Sequence, residues 1–343
     1  MITSIHLENF RIFSKLDIDC NHKLVIFSGK NAVGKTSILE AIYLIATSKS
    51  HRTNDISSII KNDSNQAIIE IKENKRFKII LDKENKYLFI NKVQISKVSE
   101  FIGNLEVVLF SPSQLSLING SPSERRKFLD LELSILNKEY LKVSSRYKKI
   151  LSERNDLLKN NDIDEILLNI YTEDLISQIK IIYKYRIDFI NNINEILTNI
   201  CKDINIENIR INYIPSYSID NISNNFSQKK KQDILLKSTS IGTHRDDFQI
   251  LINDKSAKEY ASEGQKRTIC IAIMLALKEY IKIITGNEPV LLLDDVFMAL
   301  DKDRIEGLIS YVKNSKQCFI TTTSILEIPD EILKEALVIR ISN

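Results

Sequence analysis

The segment 29–37, GKNAVGKTS, constrains the fold of this chain more than any other. It fits the pattern G-x-x-x-x-G-K-[ST] and lies between an apolar run, LVIF at 24–27, and a segment with helical spacing, TSILEAIYLI. This order predicts a strand, a glycine loop and a helix. Such a loop turns backbone N–H groups around phosphates, and the helix dipole favours the same anion. Because 343 residues include only eight glycines, the match is specific.

The motif also assigns individual contacts. Lys35 is expected to reach the β- and γ-phosphates of a nucleotide, and the Thr36 hydroxyl to ligate magnesium. The predicted nucleotide-binding residues of this loop are Gly29, Lys30, Asn31, Ala32, Val33, Gly34, Lys35, Thr36 and Ser37.

A second motif, VLLLDD at 290–295, is an apolar run that ends in two carboxylates. The run is typical of a buried parallel strand, and nucleotide sites of open α/β sheets lie at the carboxyl ends of such strands. We therefore predict that Asp294 holds Mg²⁺ and that Asp295 polarises the attacking water. By itself the pair fits a helix cap equally well, and only the glycine loop favours the catalytic interpretation.

Composition excludes several classes of protein. Apolar residues make up 43% and charged residues 27%, as in ordinary globular proteins. The net charge of +3 is too small to indicate a nucleic-acid partner, and the four cysteines form no C-x-x-C pair. No apolar segment reaches the roughly 18–20 residues of a membrane span. We expect a cytosolic chain without a membrane partner.

The middle of the chain predicts a different organisation. Residues 66–96 alternate in period two, as in an antiparallel meander. From Leu129 to Ile150 apolar residues step by three and four, which predicts one long helix, and the stepping returns from Ile182 to Ile200. The pattern fits an antiparallel helical hairpin and the core of a helical bundle equally well.

The last third of the chain contains both strand and helix patterns. Lys229, Lys230 and Lys231 fit a solvated loop or a helix face. Strands are expected at 248–253 and 318–323, and a helix over 264–284.

The order of these motifs resembles the ATP-binding-cassette heads of SMC-like DNA repair ATPases, and within them the RecF family. The resemblance is carried by LENFRIF (7–13), FSPSQLSLINGSPSERRKFLD (110–130), GTHRDDF (242–248), YASEGQKRT (260–268) and LLLDDVFMALD (291–301). It implies an α/β fold: an ABC-type P-loop ATPase head, with a mixed sheet, helices and an antiparallel β meander, interrupted by a helical, coiled-coil-like arm domain. The expected head is 1–127 and 238–343, and the expected arm is 128–237.

The same resemblance implies that the turn SEGQ at 262–265 completes the nucleotide site of a second copy of the chain. Ser262 would supply a hydroxyl to the γ-phosphate, Gly264 a close backbone approach, and the helix from Gln265 its dipole. Two identical surfaces would then bury two ATP molecules. The implied catalytic residues are Asp295, Lys35 and Ser262. An ordinary N-capped helix would explain Ser262 but not its neighbours.

Other positions take roles by resemblance. Gln114 falls in the segment that senses magnesium, and Asp301 resembles an acid that crosses the dimer interface. Thr321–Thr323 stand where many cassette ATPases have a histidine, and Arg11 is expected to approach the phosphates. The cluster 244–247 either lines the head near the nucleotide or forms a salt-bridged turn.

Cationic side chains begin at the base of the first long helix with Arg125, Arg126 and Lys127, and continue with Lys142 and Arg146. Spaced along an arm, they would neutralise DNA phosphates without reading bases. A solvated helix face is the alternative.

The RecF resemblance implies a weak, DNA-stimulated ATPase used as a switch. ATP and Mg²⁺ would drive a homodimer to close on duplex DNA and gap junctions, and slow hydrolysis would reopen it. RecO and RecR would act with it to load recombinase on single strands. The alternatives are a transporter-type energy subunit and a short SMC-like clamp.

Overall fold

The structure, a computed structural model, describes residues 1–297 and 302–342. Its strands are β1 (Ser4–Phe10), β2 (Phe13–Asp19), β3 (Leu24–Ser28), β4 (Gln66–Lys72), β5 (Arg76–Asp82), β6 (Lys86–Ile90), β7 (Val93–Ile95), β8 (Val107–Phe110), β9 (Ile209–Ile214), β10 (Asp247–Ile252), β11 (Lys255–Ser256), β12 (Val290–Asp294), β13 (Cys318–Thr322) and β14 (Ala336–Arg340). Its helices are α1 (Lys35–Thr47), α2 (Val98–Phe101), α3 (Ser116–Asn119), α4 (Pro122–Leu136), α5 (Lys138–Leu158), α6 (Glu165–Asp203), α7 (Ile222–Leu236), α8 (Ala257–Tyr260), α9 (Glu263–Thr285), α10 (Lys302–Asn314) and α11 (Asp330–Leu333).

The chain forms two compact units. Unit 1 comprises Met1–Leu115, Ile196–Glu207 and Ala261–Asn343, and unit 2 comprises Ser116–Glu195 and Asn208–Tyr260. The predicted division into 1–127, 128–237 and 238–343 stays a prediction about domains. Among the helices within the described ranges, none combines the length and apolarity needed to cross a bilayer.

A parallel sheet forms the core of unit 1. Its order is β14-β3-β13-β12-β8, and all neighbours run parallel. Every residue of β3, β8, β12 and β13 is buried, which explains their apolar sequences. The strands predicted at 24–27 and 318–323 and the helix over 264–284 are confirmed as β3, β13 and α9. The carboxyl ends of these strands share one edge, from which α1 starts.

An antiparallel sheet of order β2-β1-β4-β5-β6-β7 completes unit 1 and confirms the meander expected over 66–96. Two non-glycine residues have positive φ where the chain passes from β1 to β2: Asn9 at 50°, near the end of β1, and Arg11 at 54°, in the turn. This turn is fastened to the segment 57–61, because Arg11 N donates to Ile59 O at 2.8 Å and Lys61 N to Asn9 O at 2.8 Å. These bonds hold a backbone conformation that side chains rarely adopt.

Unit 2 contains the predicted helical hairpin. Helices α5 and α6 run antiparallel, since Tyr185 donates to Glu139 at 2.8 Å near one end and Arg154 to Thr172 at 3.1 Å near the other. The single helix expected over 129–150 is wrong. Asn137 separates α4 from α5, and its side chain accepts hydrogen bonds from two backbone amides of the next turn, at 2.9 and 3.0 Å. Asparagine caps a helix better than it extends one.

Unit 2 also has a small sheet of order β11-β10-β9. Strand β10 confirms the prediction at 248–253, whereas β9 was not predicted. Residues 229–231 lie on α7, so the helix-face interpretation of the lysine run is confirmed and the loop interpretation is wrong.

Candidate nucleotide-binding site

The glycine loop connects β3 to α1, and its shape requires glycine at both motif positions. Gly34 has φ of 95°, and a Cβ there would lie 2.4 Å from the Phe13 ring. A Cβ on Gly29 would lie 2.4 Å from the Ile341 carbonyl oxygen. Since Cβ atoms do not approach other atoms this closely, neither glycine can be replaced unless the loop or the group it contacts moves.

The shape of the loop places its lysine inside. Lys35 is 5% exposed, and its Nζ donates to the carbonyl oxygens of Gly29 at 2.7 Å and Lys30 at 2.9 Å. The ammonium therefore folds back over the loop. Its positive charge and the N-terminus of α1 act on the same space, which suits a polyphosphate.

Two predicted magnesium ligands, which are far apart in the sequence, meet beside this loop. Thr36 Oγ1 donates to Asp294 Oδ1 at 2.8 Å, although the two residues are 258 positions apart. Thr321 Oγ1 donates to the same oxygen at 2.7 Å. One hydroxyl and one carboxylate suit Mg²⁺, which usually completes its shell with substrate phosphates and water. The structure thus brings the two predicted metal ligands into contact.

Asp295 adjoins this pair and has a buried carboxylate oxygen. Its backbone has φ of 48°, and its N–H donates to Thr321 Oγ1 at 3.0 Å. Its Oδ1 is buried and has no hydrogen-bond partner within the described part of the chain. Burial, and secondarily the charge of Asp294, raise the pKa of Asp295. A buried oxygen of this kind fits a ligand such as a water molecule.

A cavity of about 710 Å³ opens over the loop. Its lining combines loop residues with Arg11, Arg52, Asn62 and Asp295. A groove of equal volume lies along strands β1, β2 and β4 of the antiparallel sheet, but its lining residues include neither the glycine loop nor the start of α1. We therefore assign the nucleotide to the cavity over the loop.

Glu40 and Arg52 were missed by sequence reasoning. Glu40 lies on α1 with a fully buried carboxylate that accepts from Arg11 Nε at 2.9 Å and from Arg52 Nη1 at 3.4 Å. Arg11 lines the cavity as expected, but it is held there by this carboxylate. The available signal was a lone acid within an apolar helical run, TSILEAIYLI.

The turn at 262–265 begins α9. Ser262 Oγ accepts from Gln265 N at 3.3 Å, and the Gln265 side chain accepts from Ser262 N at 2.8 Å, which is a capping box. A Cβ on Gly264 would have no atom within 4 Å. The fold of this chain therefore gives no steric reason for glycine there. Of the residues that the structure describes, those lining the cavity do not include Ser262 or Gly264.

The remaining predicted nucleotide contacts have partners within unit 1. Gln265 Nε2 donates to Glu207 at 2.5 Å, and Gln114 Nε2 donates to the Leu109 carbonyl at 2.6 Å. Thr321, at a position where many cassette ATPases have a histidine, donates to Asp294 Oδ1. Asp301 lies outside the described residues.

The cluster 244–247 belongs to unit 2 and is engaged there. His244 Nδ1 contacts the Tyr147 hydroxyl at 2.6 Å, and burial lowers the pKa of His244 to about 4. Asp246 is fully buried and accepts from Ser216 N at 2.9 Å. These contacts favour the structural turn among the two interpretations.

Two of the predicted DNA-binding arginines are engaged within unit 2. Arg125 is 8% exposed and donates to both carboxylate oxygens of Asp247, at 2.6 and 2.8 Å. Arg126 donates to the Asp246 carbonyl at 2.7 Å and is half-buried. Their predicted role in binding phosphates stays a prediction, and these contacts do not favour it.

The other three predicted cations are exposed. Lys127 lies on α4, and Lys142 and Arg146 lie on α5. Arg146 approaches Asp174 at 3.4 Å, but its side chain is 60% exposed, so the pair contributes little. These three side chains are accessible to a polyanion.

The parallel sheet, the glycine loop and the Thr36–Asp294 contact define a P-loop ATPase head of the ABC type. Comparisons with known proteins narrow this class. The model of the family described as the RecF/RecN/SMC N-terminal domain matches residues 1–332. The DNA replication and repair protein RecF of Acholeplasma laidlawii is 43% identical over 328 residues, which cover 94% of this chain and 93% of that protein. RecF of Clostridium perfringens is 39% identical over 355 residues, which cover 100% of this chain and 98% of that protein.

Solved structures agree with the sequence comparisons. A structure of the recombination mediator protein RecF with ATP, in the RecFOR pathway, matches with a TM-score of 0.89 and 30% identity, covering 96% of this chain and 93% of that one. An SMC head bound to a domain of ScpA matches with a TM-score of 0.53 and 16% identity, which shows a shared fold alone. The chain belongs to the RecF family.

Proposed function

We propose that this chain is an ATP-dependent DNA-binding protein of recombinational repair and replication-fork maintenance. ATP and Mg²⁺ occupy the cavity over the glycine loop, and Asp295 activates the water that hydrolyses ATP. The observation that carries this proposal is the contact of Thr36 with Asp294, which assembles a metal site beside a phosphate-binding loop. The name and the bound ATP of the RecF relatives support it.

In this proposal ATP acts as a dimerisation switch. The turn at Ser262 and Gly264 of one copy closes over the γ-phosphate that the other copy holds. The exposed cap and the empty space around Gly264 support this arrangement, because they leave room for a close approach from outside the chain. ATP favours the closed dimer only because the composite site exists in that state alone. Hydrolysis removes the γ-phosphate contact and releases the dimer.

DNA binding would use the exposed cations of unit 2, Lys127, Lys142 and Arg146. They supply phosphate contacts without base contacts, so binding would tolerate any sequence and weaken with salt. The chain would act at duplex DNA and gap junctions, with RecO- and RecR-type proteins, to load recombinase. It would work in the cytoplasm, where bacterial DNA lies.

Sedimentation velocity with and without ATP·Mg²⁺, and with and without duplex DNA, tests the proposal. We expect a monomer without nucleotide, a dimer with ATP, and co-sedimentation of the dimer with DNA. Lys35→Arg should stay monomeric with ATP, because a guanidinium cannot take the place of the ammonium that folds over the loop. A wild-type protein that stays monomeric with both ligands, or a variant that dimerises normally, would contradict the scheme.

A further inference from the structure

We infer that Glu40 is a positioning residue that aims Arg11 and Arg52 into the nucleotide cavity. This inference rests on the proposed binding of ATP there, and it identifies how two cations that line the cavity are held in place.

The carboxylate of Glu40 is the centre of a dense hydrogen-bond network. Its exposure is 0%, and it accepts from Arg11 Nε at 2.9 Å, Arg11 Nη2 at 2.5 Å, Ser50 Oγ at 2.5 Å and Arg52 Nη1 at 3.4 Å. Although burial acts to raise it, the hydrogen bonds from Arg11 and Ser50 hold the pKa of Glu40 below its usual value. The group is therefore an anion at neutral pH.

The network also shapes the segment that carries Arg52. The Ser50 hydroxyl, which donates to Glu40, accepts from the backbone N–H groups of Arg52 at 3.0 Å and Thr53 at 3.2 Å. Glu40 thus sets both the side chain of Arg52 and the turn that precedes it. Arg52 keeps 44% of its side chain exposed, and it lines the cavity.

Arg11 also lines the cavity, and its backbone conformation is energetically unfavourable. Its φ of 54° is rare for a residue with a side chain, and its Nη1 donates to the Ser58 carbonyl at 2.7 Å. Three of its five N–H groups are used in this way, so within the described chain two remain to meet a ligand. A strained backbone of this kind persists where surrounding contacts hold it in place.

The net charge of Glu40, Arg11 and Arg52 together favours an anionic ligand. Two guanidinium groups share one carboxylate, which leaves one positive charge in excess beside the cavity. A buried carboxylate adds little net stability, because desolvation offsets much of its attraction to the cations. Its effect here is geometric: it fixes two mobile arginines before the phosphates arrive, so that less entropy is lost on binding.

The test is the isosteric substitution Glu40→Gln. The amide NH₂ would face the guanidinium donors, so at least one arginine must leave. We expect ATP·Mg²⁺ affinity, measured by calorimetry at protein concentrations where the wild type is monomeric, to fall about tenfold. Adding Glu40→Gln to the double variant Arg11→Ala with Arg52→Ala should cause no further loss of affinity, because Glu40 acts through those two arginines.

Asp233→Asn is the matched control. Asp233 is also fully buried, contacts Arg154 at 2.9 Å and accepts from the Ser240 hydroxyl at 2.6 Å, but it lies in unit 2. It should lower the melting temperature as Glu40→Gln does and leave ATP affinity unchanged. If Glu40→Gln does not fold, Glu40→Asp, which keeps the charge but shortens the reach, should lose part of the affinity.

Three results would overturn the inference while leaving the proposed function intact. The first is an affinity of Glu40→Gln and Glu40→Asp for ATP within twofold of wild type. The second is a further loss of affinity when Glu40→Gln is added to the variant that lacks both arginines, and the third is an equal loss in Asp233→Asn. A wild-type protein that does not bind ATP at all would instead refute the proposed function.

Discussion

Replacing Gly264 by alanine should stabilise the monomer and weaken the ATP-dependent dimer. A Cβ there meets no atom within 4 Å, and Gly264 lies in the first turn of α9 without a positive φ. The substitution therefore removes no contact and adds no strain. It reduces the freedom of the unfolded chain, which is worth about 0.4–1 kcal/mol.

For unit 1, with roughly 200 residues, this gain corresponds to a rise in melting temperature of roughly 1–4 °C. The dimer should respond in the opposite direction. If the γ-phosphate of the other copy approaches the backbone at Gly264, an added methyl group occupies that space. We expect the ATP-dependent dimer to be at least tenfold weaker, while the monomer binds ATP as the wild type does.

Three measurements check this prediction: thermal unfolding without nucleotide, calorimetric titration with ATP, and sedimentation velocity with ATP. Gly286→Ala is the control at the other end of α9. It also has empty space around the Cβ position, but its φ is 73°, so alanine there should cost about 1 kcal/mol. Dimerisation of this control should be unchanged.

Wild-type dimerisation of Gly264→Ala would refute the idea that this glycine meets the nucleotide of a second copy. Loss of ATP binding by the monomeric variant would mean that the turn acts within its own chain.

Two further predictions concern hydrolysis and DNA. The variant Asp295→Asn should bind ATP, hydrolyse little of it and accumulate as a dimer, because an amide cannot accept the proton of the attacking water. Normal phosphate release by this variant in a turnover assay would show that the general base lies elsewhere. The triple variant Lys127→Ala, Lys142→Ala and Arg146→Ala should bind duplex DNA more weakly, and the salt dependence of its affinity should fall by up to about three counterions. Fluorescence anisotropy over a salt series measures both effects. An unchanged salt dependence would exclude this surface as the DNA-binding site, and Lys83→Ala on the meander is a control.

The nucleotide site was largely predictable because its signals are local. Gly34, Lys35 and Thr36 sit in one short loop whose flanking strand and helix have clear periodicities. Asp294 follows from the same logic, since parallel strands end at a common edge. Thr36 and Asp294 are 258 residues apart, and predicting that they lie close together required both motifs to belong to one sheet. The strand order β3-β13-β12 confirms that sheet.

Other features depend on contacts that no local pattern encodes. The periodicity near Arg125 predicts a helix but not that its partner, Asp247, lies 122 positions away. In the sequence, Glu40 is visible only as an acid in an apolar run, because its partners Arg11 and Arg52 reach it only in the folded chain. Strand β14 was missed because it is short, partly exposed and next to a turn, without the apolar run of a buried strand.

The position of β3 has a consequence for synthesis on the ribosome. Both neighbours of this strand, β13 and β14, come from the last part of the chain, and the Ser28 carbonyl just before the loop accepts from Ile341 N at 2.8 Å. The glycine loop is therefore synthesised long before the two strands between which β3 lies. The sheet that supports the loop, and the contact of Thr36 with Asp294, can form only after β12 and β13 have been synthesised.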